Sequence, residues 1–186
     1  MPRIVSVNVG RPRSIRIGGR TVRTAIEKEP VLVRVRVGRM NLEEDRQADL
    51  RVHGGANKAV YAYDVSGYEH WQRELVRAFP YGQFGENLTV EGLPETEVRI
   101  DDLFRVGTVL LQVSQPRSPC YKLALRLGRP DFPAAFLASG RTGFYLRVLE
   151  EGKLGAGDAI GLVERDPRAL TVLETTRRNW GGSELS

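Results

Sequence analysis

The chain is poor in soft ligands: one cysteine, two histidines and two methionines in 186 residues. A single thiol excludes an internal disulfide. His53, His70 and Cys120 are too few and too widely spaced for a structural zinc site. Long apolar runs are missing as well, and no stretch approaches the roughly 20 residues that cross a bilayer. The opening "MPRIVSVNVGRPRS" alternates like a strand and lacks the apolar block of a signal peptide, which makes the cytoplasm the expected location. There is no Gly-x-Ser-x-Gly elbow, no Gly-x-Gly-x-x-Gly after a strand and no P-loop spacing. Six Phe, six Tyr and two Trp form no stacking array, which argues against a nucleic-acid-binding barrel.

What is present is arginine and alternation. Lys and Arg number 28 against 23 Asp and Glu, a net charge of +5 spread along the chain as a solvated basic surface. Hydrophobic residues make up 41 %, enough to build a core. "RIVSVNVG", "VLVRVRVGRM", "KAVYAY", "TVLLQVSQP", "GFYLRVLEEG" and "DAIGLVE" read as strands, and "SIRIGGRTV" as a hairpin turning at Gly18-Gly19. Val31, Val33, Val35 and Val37 line one face of a single predicted strand. The pattern is mostly β with accessory helices, and it predicts a closed antiparallel β-barrel, since closure removes exposed edges. "SGYEHWQRELVRAF" predicts an amphipathic helix with a capping box of Ser66 and Glu69. Two further short helices are expected, one from about Pro119 to Leu127 stopped by Gly128, and one on "PAAFLAS" stopped by Gly140. Residues 1–164 are read as the barrel domain. Residues 165–186 are read as a short tail, part helical or disordered.

Four places could carry chemistry. Cys120 lies in "SQPRSPCYKL", where Pro116 and Pro119 stiffen the loop and Arg117 and Lys122 add positive charge. In the first turn of a helix such a thiol is favoured as thiolate, a nucleophile or a soft-metal ligand; an inert buried cysteine is the competing reading. In "RVHGGANKAVYAY", Gly54 and Gly55 would let backbone approach a bound group and Lys58, opening a strand, would meet a phosphate; a plain hairpin turn explains the same spacing. Asn87 in "FGENLTVEGL" could bond a heterocycle edge or simply form a turn. Arg141 in "SGRTGF" could reach a phosphate or point to water.

Taken together and in order, "HGGANKAVYAY", "FGENLTVEGL", "IDDLFRVGTVLLQVSQPRSPCYKL" and "TGFYLRVLEEGKLGAGDAI" resemble the MOSC-domain proteins, of the small stand-alone bacterial type. "TAIEKEPV", with Lys28, fits the same pattern, and the likeness runs from about Val5 to Val163. The resemblance implies a distorted β-barrel, and a molybdenum cofactor of the molybdopterin type with Cys120 as metal ligand and catalytic group. It implies cations for the cofactor phosphate from Lys28, Lys58, Arg117 and Arg141, and polar groups for the pterin edge from Asn87, Gly54 and Gly55. It gives His53 a role in hydrogen bonding or proton relay, assisted by Arg51. The family as a whole is also associated with pyridoxal phosphate. The activity implied is reduction of N-hydroxylated compounds, such as hydroxylaminopurine-type bases and amidoximes. Electrons would come from a separate flavin or iron–sulfur protein. The alternative is a sulfur or cofactor carrier using a persulfide on Cys120. Monomer and homodimer both stay open. Asp101 stands where glycine is common in the family, and only a local backbone change is expected from it.

Overall fold

The structure, a computed structural model, describes residues 1–10, 13–17, 20–24, 28–43, 45 and 55–181. The strands are β1 (Arg3–Val9), β2 (Arg13–Ile17), β3 (Arg20–Thr24), β4 (Glu29–Val31), β5 (Val35–Val37), β6 (Val60–Asp64), β7 (Leu88–Glu91), β8 (Leu103–Val106), β9 (Val109–Pro116), β10 (Phe144–Glu150), β11 (Gly152–Leu154) and β12 (Ile160–Glu164). The helices are α1 (Val65–Leu75), α2 (Tyr121–Leu127), α3 (Phe132–Ala138) and α4 (Val172–Trp180). No helix among the described residues is long and apolar enough to cross a membrane.

Eight strands form one sheet in the order β12-β8-β9-β10-β6-β7-β1-β4, and β11-β5 and β2-β3 make two small pairs. The expected closed antiparallel barrel is not found: the sheet is open, and β6 runs parallel to β7. The physical reason lies at the seam. β1 meets the start of β12 through the single bridge Arg3–Ala159 and the neighbouring bonds Ile4 N–H to Asp158 O (2.9 Å) and Ile160 N–H to Pro2 O (2.8 Å). These join the β12 edge to β1, one strand in from the β4 edge, at one point, and no ladder continues from there among the described residues.

Alternation sorts the strand side chains into two cores. In β6 every residue is buried, with Val60 and Ala62 in an aliphatic core and Tyr61 and Tyr63 in an aromatic one. The aromatic core joins Tyr68 and Trp71 of α1, Leu123 of α2, Phe132 and Phe136 of α3, and Phe84. The helices thus cover the face of the sheet that carries the tyrosines. In β9, Val109, Leu111 and Val113 are buried in the aliphatic core, as the alternation predicts.

Several local expectations are corrected. The strand expected over Val31–Val37 is two: β4 ends at Val31, Leu32 and Val33 turn outward at 102 % and 70 % exposure, and β5 resumes at Val35. α1 is capped by Asp64, whose carboxylate accepts from Ser66 N–H at 2.9 Å, and not by a Ser66–Glu69 box. α2 starts at Tyr121, so Cys120 is its N-cap residue and lies just outside the first turn. Lys58 ends a 3-10 turn at Ala56–Lys58 and does not open β6. Gly128 and Gly140 do stop α2 and α3 in left-handed conformation, with φ of 68° at each. Past β12 the chain forms α4, started by a capping box between Thr171 and Glu174 and docked by Val172 N–H to Val98 O at 2.8 Å.

Candidate functional site

β9 ends at Pro116, and the next four residues cross to α2 over the aromatic core. Arg117 is held there by its own N–H, which donates to Gly143 O at 3.2 Å. Arg117 is only 5 % exposed, and its guanidinium lies 4.7 Å from the Tyr61 ring centre and 5.8 Å from that of Phe136. Burial works against its charge, but Tyr61, Tyr145 and Cys120 outweigh burial and raise its pKa. Its Nη1 has no hydrogen-bond partner among the described residues. An orphaned, buried guanidinium nitrogen is costly unless something anionic or polar completes it.

Cys120 follows three residues on, half-buried, with extended backbone and its carbonyl accepting Leu123 N–H at 3.0 Å. Its charge acts on both Arg117 and Tyr145, raising the pKa of each. The Tyr145 ring lies tilted against Tyr61 with centres 5.4 Å apart, and Lys58 Nζ lies 5.8 Å from the Tyr145 ring centre, over its face. Burial raises the pKa of Tyr61, Tyr63 and Tyr145, so all three phenols stay protonated near neutrality. Of the residues expected from sequence, the fold therefore gathers Cys120, Arg117 and Lys58 around a pair of tyrosines.

Lys28 and Asn87 belong to an adjoining buried network. Lys28 Nζ pairs with Asp45 at 2.6 Å, and burial lowers its pKa while Asp45 opposes that shift. Asp45 also accepts from Gly10 N–H at 2.9 Å and Asn87 Nδ2 at 2.7 Å. Asn87 Oδ1 accepts Tyr61 N–H at 3.0 Å, so both ends of this amide are engaged inside the protein. Gly55 sits at φ 101°, a conformation open to glycine, and its carbonyl accepts Lys58 N–H. Arg141 presents its carbonyl to Tyr63 OH at 3.1 Å, while its charge is felt by His70 and Glu95. Arg51, His53 and Gly54 lie outside the described residues.

Sequence reasoning missed Asp45, Glu95, Tyr61, Tyr63 and Tyr145. The tyrosines carried a signal: Tyr61 and Tyr63, two apart in a strand, must share a face. Glu95 carried none, because "LPETEV" does not distinguish it from Glu97; Glu95 is buried and Glu97 exposed.

Among the described residues no group of three or more His, Cys, Asp or Glu could hold a metal ion. A metal held by Cys120 alone among these residues would bring its other ligands with it. That suits a metal carried on an organic cofactor whose anionic portion needs buried cations. The lone thiol and the incomplete guanidinium of Arg117 are the donors such a group requires.

The MOSC domain family matches residues 49–161. The uncharacterized protein YflK of Bacillus subtilis is 41 % identical over 177 residues, covering 95 % of this chain and 80 % of YflK. A protein of Gibberella moniliformis named as a reductase is 36 % identical over 129 residues, 67 % of this chain and 23 % of its own. The crystal structure of YiiM from Geobacillus stearothermophilus superposes with a TM-score of 0.81 at 40 % identity, covering 96 % of this chain and 84 % of that one.

Proposed function

The chain belongs to the MOSC-domain family, and on that premise we propose that it is a molybdenum-cofactor-binding oxidoreductase that reduces N-hydroxylated compounds. Hydroxylaminopurine-type bases and amidoximes are the substrate class. The balance is simple: two electrons and two protons convert N–OH into N–H and water. The electrons come from a separate flavin or iron–sulfur protein. When bound, the cofactor supplies the two-electron chemistry.

The chain's residues do the rest. Cys120 offers a thiolate to the metal from a backbone fixed between β9 and α2. Arg117 holds a permanent positive charge beside it in a site where water is scarce. Lys58 adds a second cation over the Tyr145 ring. Tyr61 and Tyr145 wall the site with rings, and their phenols remain neutral donors. The observation that carries the reading is the orphaned Nη1 of buried Arg117 next to the chain's single thiol.

The test is molybdenum per protein after anaerobic reconstitution with the cofactor, wild type beside Cys120→Ser. Wild type is expected to retain metal and the variant to lose it. Absence of molybdenum from both overturns the reading and turns attention to a carrier with a persulfide on Cys120, visible as a 32 Da mass increase, about one sulfur atom.

A further inference from the structure

Glu95 is a buried acid, 4 % exposed. Its carboxylate accepts Gly143 N–H at 2.7 Å. Gly143 belongs to a three-residue strap, Arg141–Gly143, whose carbonyls are all taken from the site side. Arg141 O accepts Tyr63 OH at 3.1 Å, Thr142 O accepts Tyr61 OH at 2.8 Å, and Gly143 O accepts Arg117 N–H at 3.2 Å. Glu95 thus grips from one side the strap that Tyr61 and Arg117 grip from the other. The strap has little freedom. Gly143 has φ 70°, and a Cβ there would fall 2.4 Å from Ala62 O and 2.7 Å from Tyr61 Cε2.

The surroundings of Glu95 make its proton mobile at ordinary pH. Burial pushes its carboxyl up to about 7, opposed by its own N–H and that of Gly143. Asp64, at the end of β6, raises it further, and Arg141 lowers it. Tyr61 and Tyr63 of β6 feel its charge, and α4 brings the Leu173 N–H onto its backbone carbonyl at 2.9 Å.

We propose that Glu95 is a positioning residue for the Cys120 site, whose carboxylate fixes the strap that seats Arg117 and Tyr61 and whose protonation releases it. With the strap held, the Arg117 guanidinium stays against Tyr61 and beside the thiol, and the coupling of Arg117 and Cys120 is mutual. With the strap loosened, that cation drifts and the thiol loses its partner charge. This deepens the reading above, and rests on it only in taking Cys120 as the reactive group. Its test uses the full chain without cofactor, so its outcome and that of the metal-retention experiment are independent.

Cys120 is the only thiol, so alkylation by iodoacetamide reports on it alone. At about pH 8, Glu95→Gln is expected to react roughly three-fold more slowly than wild type, the scale of one charge-assisted hydrogen bond weakened. At about pH 5.5, where wild-type Glu95 carries its proton, the two rates are expected to agree. Equal rates at pH 8, or the same deficit at both pH values, overturn the proposal, since a merely structural role would slow the thiol throughout. If E95Q does not fold, the wild-type Gly143 amide resonance decides: a titration centred near pH 7 supports the grip, and an invariant shift overturns it.

Discussion

Lys28 and Asp45 show what a single residue contributes here. The side chains are 9 % and 1 % exposed, and Asp45 ties together the ends of β1 and β7 through Gly10 N–H and Asn87. Removing one partner leaves the other charge buried and uncompensated, which is far worse than never having had the pair. Lys28→Met is therefore expected to cost about 3 kcal/mol of stability, read as a lowered urea midpoint at unchanged slope. The sequence singled out Cys120 and Arg117 through residue type and surroundings, and Lys28 only through the family resemblance. It hid Asp45, because a carboxylate in an acidic, polar stretch declares nothing until a buried lysine faces it. It also placed Asn87 at a ligand edge, whereas the tertiary fold uses that amide to join Tyr61 to Asp45.

Elements follow local pattern until packing overrules it. The alternation in β9 was legible because the strand is flanked on both sides by β8 and β10, so each side chain has a fixed face. The same alternation over Val31–Val37 misled, because among the described residues β4 pairs with β1 alone, and the chain must leave that pairing before β5 can pair with β11. Helix starts were ambiguous for a similar reason. Asp64 wins the N-cap of α1 since its second oxygen also accepts Leu93 N–H at 2.8 Å, a contact no local motif encodes. At the other end of α1 the fold tolerates a poor choice. Val76 is the C-cap, 91 % exposed, at φ 47° and ψ 45°, where a β-branched residue is strained. Val76→Gly is expected to raise stability by about 1 kcal/mol, measured by thermal or urea unfolding.

For the whole molecule, the mixture of sheet and helices was legible and the closure of the sheet was not. Strand patterns record which face of a strand is buried. They do not record whether the last strand finds the first, nor that β6 and β7 run parallel after the α1 crossover. Global stability should also carry the signature of Glu95. Its folded pKa, about 7, lies above the 4.5 of the free side chain. The folded state therefore holds the proton more tightly. The resulting stabilisation is fully present below about pH 4.5 and is lost as pH rises through about 7, on the order of 3 kcal/mol. Unfolding free energy measured across that window should fall with pH in the wild type and flatten in Glu95→Gln. A second consequence follows from the seam where Ile4 and Pro2 meet residues 157 to 160, with Gly157 N–H to Ile4 O at 2.8 Å. β1 receives these bonds only after residues 157 to 160, far along the chain, have been made. Until then β1 has its β4 and β7 neighbours but an unsealed flank beside Arg3 and Ile4, an exposed edge for as long as residues 157 to 160 are still to be made and one that a chaperone can shield.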